Sequence, residues 1–455
     1  MRGKLLFIVT AFAPENAIGC VRTTKLVKYL VRGGWDLTVV SPKLSEDIAW
    51  DHSLVCNELS YIEKIDIPYG EFFRRFLYRK RSGSTANKPP SNNEKPPVKS
   101  LGQAIRTFSR KRIKFIYNLT RNFSWKRQVK KYIDENFKEN EFDYIFSSYP
   151  SASSHLAAKY ALKKKIAKKW IADFRDPMAY ESIHSRFEYF IYNKIQKNIC
   201  RNASAITVVS KDLARKLSQQ YGIEKKTNYL PNGYDEDDLE LIEEKGETEN
   251  GFLRLVYAGS MYGGQRDLSP VFFGLKELHN KGLINIEKIR FTYAGKDFQI
   301  VKDQAGKYEL DGILENLGFI SRIDSLNLQN TADVILVSTW NSENEQGIVT
   351  GKVFECFLLK KPVLVIVNGT KPGGELSEMI DSSGLGISFN SMIADPSQDE
   401  RLQNFLLNAY KQAIDGKVVP TNANHKYLQS FSYRVLAKKL EDILLSNGLK
   451  ENQLD

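Results

Sequence analysis

The chain has 455 residues, a mass of 52.0 kDa and a formal net charge of +12. With 42% hydrophobic and 26% charged residues it suits two globular domains, and it excludes a mostly disordered protein, a collagen-like fibre and a small disulfide scaffold. Cys20, Cys56, Cys200 and Cys356 lie far apart and make no CxxC or Cys/His pair at metal-ligand spacing, which favours a reducing compartment and no structural zinc.

The first apolar run, residues 4–10, is too short for a signal peptide and reads as a buried strand. No stretch approaches the ~20 apolar residues that span a bilayer, so a cytoplasmic protein is expected, at most peripheral on the inner face of the membrane. A loop over 11–19 leads to a helix over 21–31 with Leu26, Leu30 and Val31 on one face. Gly33-Gly34 ends it, and 35–41 is a second strand.

Residues 72–131 then carry 18 Lys or Arg against one acid, Glu94, so the rest of the chain is net negative. Arg74, Arg79, Arg110, Lys114 and Lys126 alternate with Phe72, Phe76, Phe108, Phe115 and Trp125. Cations interleaved with aromatics suit an anionic membrane surface. Nucleic acid would also fit, but no nucleic-acid motif accompanies the charge, and no such partner is expected. The plain alternative is a solvated, partly disordered insertion, since 82–100 is rich in Pro, Asn, Ser and Lys.

Downstream, strands are predicted at 144–147, 170–173 and 205–210, with helices at 151–164, 187–200 and 211–221. A second half begins near Pro231. It offers strands at 253–258, 289–294, 334–337 and 362–367, helices at 268–280 and 352–359, and a tail helix at 433–445. Strands alternating with helices imply parallel, doubly wound sheets. The fold class is therefore α/β, with two Rossmann-like domains facing across a cleft. Ligands of such sheets bind outside the carboxyl ends of the strands. The domain boundaries read as 1–230, 231–425, and a C-terminal segment 426–455 packing back towards the first domain.

Two strand-to-helix segments carry the chemistry. Gly259-Ser260-Met-Tyr-Gly263-Gly264-Gln-Arg266 would let a phosphate approach the backbone, with Arg266 adding a bidentate contact. It matches neither GxGxxG nor the P-loop, and a tight turn explains it equally well alone. Gly347-Ile-Val-Thr350-Gly351-Lys352-Val-Phe-Glu355 places glycines, a hydroxyl and a lysine just before a helix. Glu355, about 5 Å along the axis from Lys352, can accept hydrogen bonds from a ribose diol, although an i,i+3 surface pair is the bland reading. Asp235-Glu-Asp-Asp238 reads as a linker acid run and not a metal site. No metal or cofactor is expected. His155, at a helix start, is expected to face the cleft, where it would touch substrate or else serve as a capping or core histidine. Asp173, Arg175 and Asp176 end a strand, either as an ion pair or beside substrate.

Ala172-Asp-Phe-Arg-Asp-Pro177, Thr207-Val-Val-Ser-Lys211, Leu230-Pro-Asn-Gly-Tyr-Asp235, Tyr257-Ala-Gly-Ser260 and Thr350-Gly-Lys-Val-Phe-Glu355 occur in order, after Phe12-Ala-Pro-Glu-Asn-Ala-Ile-Gly19. Together they resemble the retaining GT-B glycosyltransferases of family 4. That resemblance implies a nucleoside-diphosphate sugar donor and a glycan or lipid-linked glycan acceptor, in surface polysaccharide biosynthesis. It implies diphosphate binding by Arg266 and Lys352, with Asp176 near the sugar as a third catalytic residue. Gly19, Gly259, Ser260, Gly263, Gly347, Thr350, Gly351 and Glu355 complete the donor site, Glu355 on the ribose. His155 and Arg175 are assigned to the acceptor. Gly347 stands where the family's first motif glutamate is usual, a departure that touches the donor-sugar contact; backbone N–H groups of 347–351, or the nearby Glu345, are the expected replacements. A sugar-nucleotide epimerase on the same fold, or an inactive GT-B binding protein, are the alternatives.

Overall fold

A computed structural model describes residues 2–16, 18–44, 50–70, 101–180, 184–243, 251–343, 348–391 and 396–446, with Ile18 and 101–114 by backbone alone. The first sheet has seven parallel strands: β1 (Lys4–Ile8), β2 (Asp36–Pro42), β3 (Glu63–Ile67), β4 (Phe142–Tyr149), β5 (Ala167–Phe174), β6 (Ala205–Val208) and β7 (Thr227–Tyr229), in the order 3-2-1-4-5-6-7. The second has six: β8 (Leu253–Ala258), β9 (Ile289–Ala294), β10 (Leu314–Gly318), β11 (Val334–Asn341), β12 (Val363–Gly369) and β13 (Gly386–Asn390), ordered 10-9-8-11-12-13. Each order reverses once, at β1/β4 and at β8/β11, and an α/β sheet opens a ligand crevice at such a point.

Strand periodicity sorts the core. Leu6 and Ile8 face one side of the first sheet, packing with Trp125, Ala158 and Trp170. Leu5, Phe7 and Val9 face the other. The first side is covered by α2 (Leu101–Asn136), α3 (Ala152–Lys163), α4 (Arg186–Asn202) and α5 (Lys211–Tyr221); the second is covered by α1 (Ile18–Arg32). In the second domain α6 (Ser269–Asn280), α7 (Phe298–Gly306), α8 (Arg322–Thr331), α9 (Lys352–Leu359), α10 (Glu375–Ser383) and α11 (Pro396–Ile414) flank the sheet. After the short α12 (His425–Gln429) the chain returns, and α13 (Tyr433–Leu445) buries Tyr433, Leu436, Leu440 and Leu444 with Leu26 and Leu30 of α1.

Two features depart from the reading of the sequence. Residues 101–131, read within a basic insertion, belong to the 36-residue α2. Its Trp125, Val129 and Ile133 fill the core, and the Trp125 indole N–H donates to the Ile67 carbonyl. The cation count hid this apolar i, i+4, i+8 stripe. Residues 71–100, with the Pro- and Asn-rich stretch, lie outside the described residues. The other feature is α1, which buries Arg22, Lys25 and Lys28 alongside its leucines.

Those buried cations hold the joint between the halves. Arg22 clasps Asp173 through Nε (3.1 Å) and Nη2 (2.7 Å) and donates to the carbonyls of Leu230 and Pro231 in the linker. Asp173 also accepts from Ser148 and Thr207, so it is a buried ion-pair partner rather than a substrate ligand. Burial pushes its carboxyl up, but the Arg22 charge and these hydrogen bonds outweigh that and hold it below the ordinary range. Asp235 takes Lys25, Lys28 and Tyr29, and Asp238 takes Lys25 and Arg322. The acid run thus has protein cations as its ligands. The two chain crossings run side by side: the Tyr234 N–H donates to the Phe431 carbonyl and the Tyr433 N–H to the Tyr234 carbonyl. Gly233 permits that approach, since a Cβ there would lie 2.2 Å from the Phe431 oxygen.

A second tie lies beside the linker. Glu375, the first residue of α10, accepts from the backbone N–H of Lys211 at the start of α5 (2.8 Å), and Tyr229 lies against it. Burial pushes this carboxyl up to about 7.

Replacing Asp173 with Ala should cost about 3–5 kcal/mol, because the Arg22 charge stays buried without its counter-ion. Urea unfolding checks this, and a loss within ~0.5 kcal/mol, as for an ordinary surface change, would refute it. For Glu375 the native carboxyl binds its proton more tightly than the unfolded chain does. Stability should therefore fall as pH rises from about 4.5 towards 7, by on the order of 3 kcal/mol. Glu375→Gln should flatten that slope in urea unfolding measured across the range.

Candidate functional site

Beyond the carboxyl end of β8 the chain turns through residues 259–266. Gly263 and Gly264 adopt φ of +64° and +92°, which a side chain would strain. The loop is held from β9 by Asp297: its carboxylate accepts from the Ser260 hydroxyl (2.7 Å) and from the Met261 N–H (2.7 Å). These two hydrogen bonds lower its pKa. The Tyr293 hydroxyl donates to the Gly259 carbonyl, and the Asp297 N–H donates back to that hydroxyl. Sequence reasoning missed Asp297. Its signal was its place in Ala294-Gly-Lys-Asp297, just past a strand end.

Arg266 reaches back across this loop. Its Nη1 donates to the Ser260 carbonyl (3.1 Å), and its guanidinium lies 4.5 Å from the Tyr262 ring centre and 5.8 Å from that of Trp340. It is 7% exposed, and its buried Nε has no hydrogen-bond partner among the described residues. Trp340 belongs to the carboxyl end of β11, so the stacked arginine joins the ends of the two strands at the crevice.

After β11 the chain reaches α9. Gly347 and Glu345 lie outside the described residues. Thr350 and Gly351 immediately precede the helix, and the Lys352 N–H meets the Thr350 hydroxyl at 3.5 Å. Lys352 Nζ donates to Glu355 Oε2 (3.0 Å) and to the Ser325 hydroxyl (3.1 Å). The same Oε2 accepts from Gln329 Nε2 (2.6 Å). Ser325 and Gln329 are a turn apart on α8 and were not picked out in the sequence. Arg322, at the start of α8, lies close enough for the Glu355 charge to act on it, and it also contacts Ser53 of the first domain. The Lys–Glu pair is therefore a four-residue cluster rather than an isolated surface pair.

In the first domain, Arg175 Nη1 donates to the Gly19 carbonyl (3.1 Å), so two candidates from different segments meet. A Cβ at Gly19 would sit 2.9 Å from that nitrogen. The Arg175 Nε is buried and unpartnered among the described residues. Asp176 is exposed past the end of β5, 3.4 Å from the Tyr180 hydroxyl. His155 corrects the expectation. It is fully buried, bonded through Nδ1 to Ser147 (2.7 Å) and packed on Trp170 and Phe174. Burial pushes its pKa down to about 3, so it is a neutral core histidine out of reach of any substrate.

The profile described as Glycosyltransferase Family 4 matches residues 21–238. That match spans the first domain, somewhat under half of the chain, and the chain as a whole has the GT-B fold. The chain superposes on sucrose-phosphate synthase from Thermosynechococcus elongatus at TM-score 0.60 and 12% identity, covering 97% of this chain and 98% of the other. It superposes on Anabaena HepE, solved with UDP and glucose, at TM-score 0.58 and 14% identity, covering 97% and 99%. OtsA gives 0.61 at 12% identity over 97% and 99%. No curated protein matches it in sequence.

Replacing Asp297 with Ala should release the loop over residues 259–266. Hydrogen exchange at residues 260–264 is expected to speed up about three- to tenfold. Unchanged exchange at Met261 would show that the carboxylate does not hold the loop.

Proposed function

We propose that this chain is a glycosyltransferase that moves a sugar from a nucleoside-diphosphate sugar to a glycan or lipid-linked glycan, with retention, in surface polysaccharide biosynthesis. The observation that carries the reading is the cluster at the start of α9. Lys352 and Glu355 are held together by Ser325 and Gln329, next to the crevice where Arg266 crosses from β8 to β11.

Breaking the anomeric C–O bond leaves extra negative charge on the diphosphate. Arg266, Lys352 and the first N–H groups of α9 stabilise that charge where it develops. Gly259, Ser260 and Gly263 let the phosphates approach backbone, Thr350 and Gly351 do the same opposite, and Oε1 of Glu355 accepts from a ribose hydroxyl. Asp176 acts near the transferred sugar. Gly19 approaches the donor from the first domain, and Arg175, bonded to its carbonyl, forms the acceptor side. HepE's complex with UDP and glucose supports a nucleotide-sugar donor on this fold. The basic stretch 72–131 makes peripheral contact with an anionic membrane in this reading, keeping the enzyme beside a lipid-linked acceptor.

A thermal-shift series with nucleoside diphosphates and their sugars tests the donor. The matching one, at 100 times its dissociation constant, should add about 2.7 kcal/mol. Lys352→Ala and Glu355→Ala should each lower turnover about a hundredfold, read as nucleoside diphosphate released only with acceptor present. An altered sugar nucleotide made without acceptor would instead mark an epimerase. A wild-type chain stabilised by none of the series would sink the reading, and Gly347 would then fit an inactive binding protein.

A further inference from the structure

The first domain carries an exposed apolar rim backed by a cationic field. On α4 the exposed positions Phe187, Phe190, Lys194 and Lys197 follow helical spacing down one stripe, and the two rings are 68% and 64% exposed. On α2, Ile116 and Phe123 are exposed at 61% and 48%. The helices meet where Phe115 packs edge-on against Tyr192, 5.6 Å between ring centres. Lys159 of α3 fills the space between them. It donates to Asn198 of α4, and its charge, after burial, helps depress Lys126 of α2. Residues 115–136, 152–163 and 186–202 together hold eleven Lys or Arg against three acids.

Topology fixes where this surface lies. In the parallel crossover from β5 to β6, α4 starts on the carboxyl-end side of the sheet. α2 ends just before β4 begins, so its Phe115 end is on that same side. Ile116 stands about 30 Å up the axis from Asn136. The four exposed apolar side chains therefore gather towards the cleft side, and Lys130, Lys131 and Lys197 lie behind them.

We infer that this face, with Phe187 and Phe190 at its leading edge, docks on an anionic lipid bilayer and sets the cleft beside the membrane surface. The inference rests on the lipid-linked acceptor read above and extends membrane contact from 72–131 to α4. Charge complementarity chooses the occupant: exposed rings enter the interfacial region while the lysines behind them meet anionic headgroups. An exposed apolar rim of this kind otherwise carries a cost in water.

The test is flotation of the full chain with vesicles of phosphatidylcholine alone or mixed with phosphatidylglycerol. The wild type should float only with the anionic vesicles, less so in high salt. The F187S/F190S double variant should bind about tenfold more weakly, and K194Q/K197Q should lose roughly fivefold per cation removed. Both pairs are exposed, so melting temperature and nucleoside diphosphate thermal shifts should stay as in wild type. A wild type that floats with neither vesicle, or a phenylalanine variant that floats undiminished, overturns the inference. So does sedimentation showing a dimer that F187S/F190S dissolves, which would make a second copy the occupant. A chain that floats as expected but takes up no nucleoside diphosphate supports docking while removing the donor reading alone.

Discussion

Arg22 is where the two halves of this protein become one object. A guanidinium buried in the core of the first domain would be untenable alone. Here it is neutralised by Asp173 and capped by two linker carbonyls, so every donor it offers faces an acceptor. The same helix repeats the device one and two turns later, with Lys25, Lys28 and Tyr29 reaching Asp235 and Asp238. An ionic joint depends on direction more than an apolar one. It fixes the path of the linker and with it the position of the second sheet.

The candidate site depends on that position. Its second-domain part is assembled from the ends of β8 and β11, with α8 supplying Ser325, Gln329 and Arg322. Its first-domain part is the meeting of Gly19 with Arg175. Arg322 belongs to both, because it touches Asp238 in the linker and Ser53 across the cleft while lying within reach of the Glu355 charge. The joint and the site thus share a residue. Glu375 adds a tie on the other side of the linker, where a carboxyl near neutrality sits between domains.

The surface follows a different logic from the interior. Within the first domain Arg22, Lys25 and Lys28 of α1 are buried and paired, whereas the cations of α2, α3 and α4 spread over one outer face with few acids among them. Paired charge orders the chain, and an excess of charge of one sign creates a field that acts on whatever approaches.

The alternation of short apolar runs with amphipathic stretches by itself determined two parallel α/β domains, because burial on both faces of a sheet leaves that pattern locally. It also placed α9 and β8 to the residue, and it marked Arg266, Lys352 and Glu355, since glycine turns and helix starts are local signals. It could not reveal that α1 buries three of its cations, since the acids that neutralise them lie between 151 and 213 positions away. The core stripe of α2 was masked by its lysines and arginines. Asp297, Ser325, Gln329 and Arg322 enter the site only through contacts between elements. His155 was misplaced for the same reason: a helix start seen in sequence says nothing of which way the ring points, and packing against Trp170 and Phe174 turned it inward. Periodicity is encoded along the chain; pairing is encoded across it, and only the folded structure decides which charge finds which.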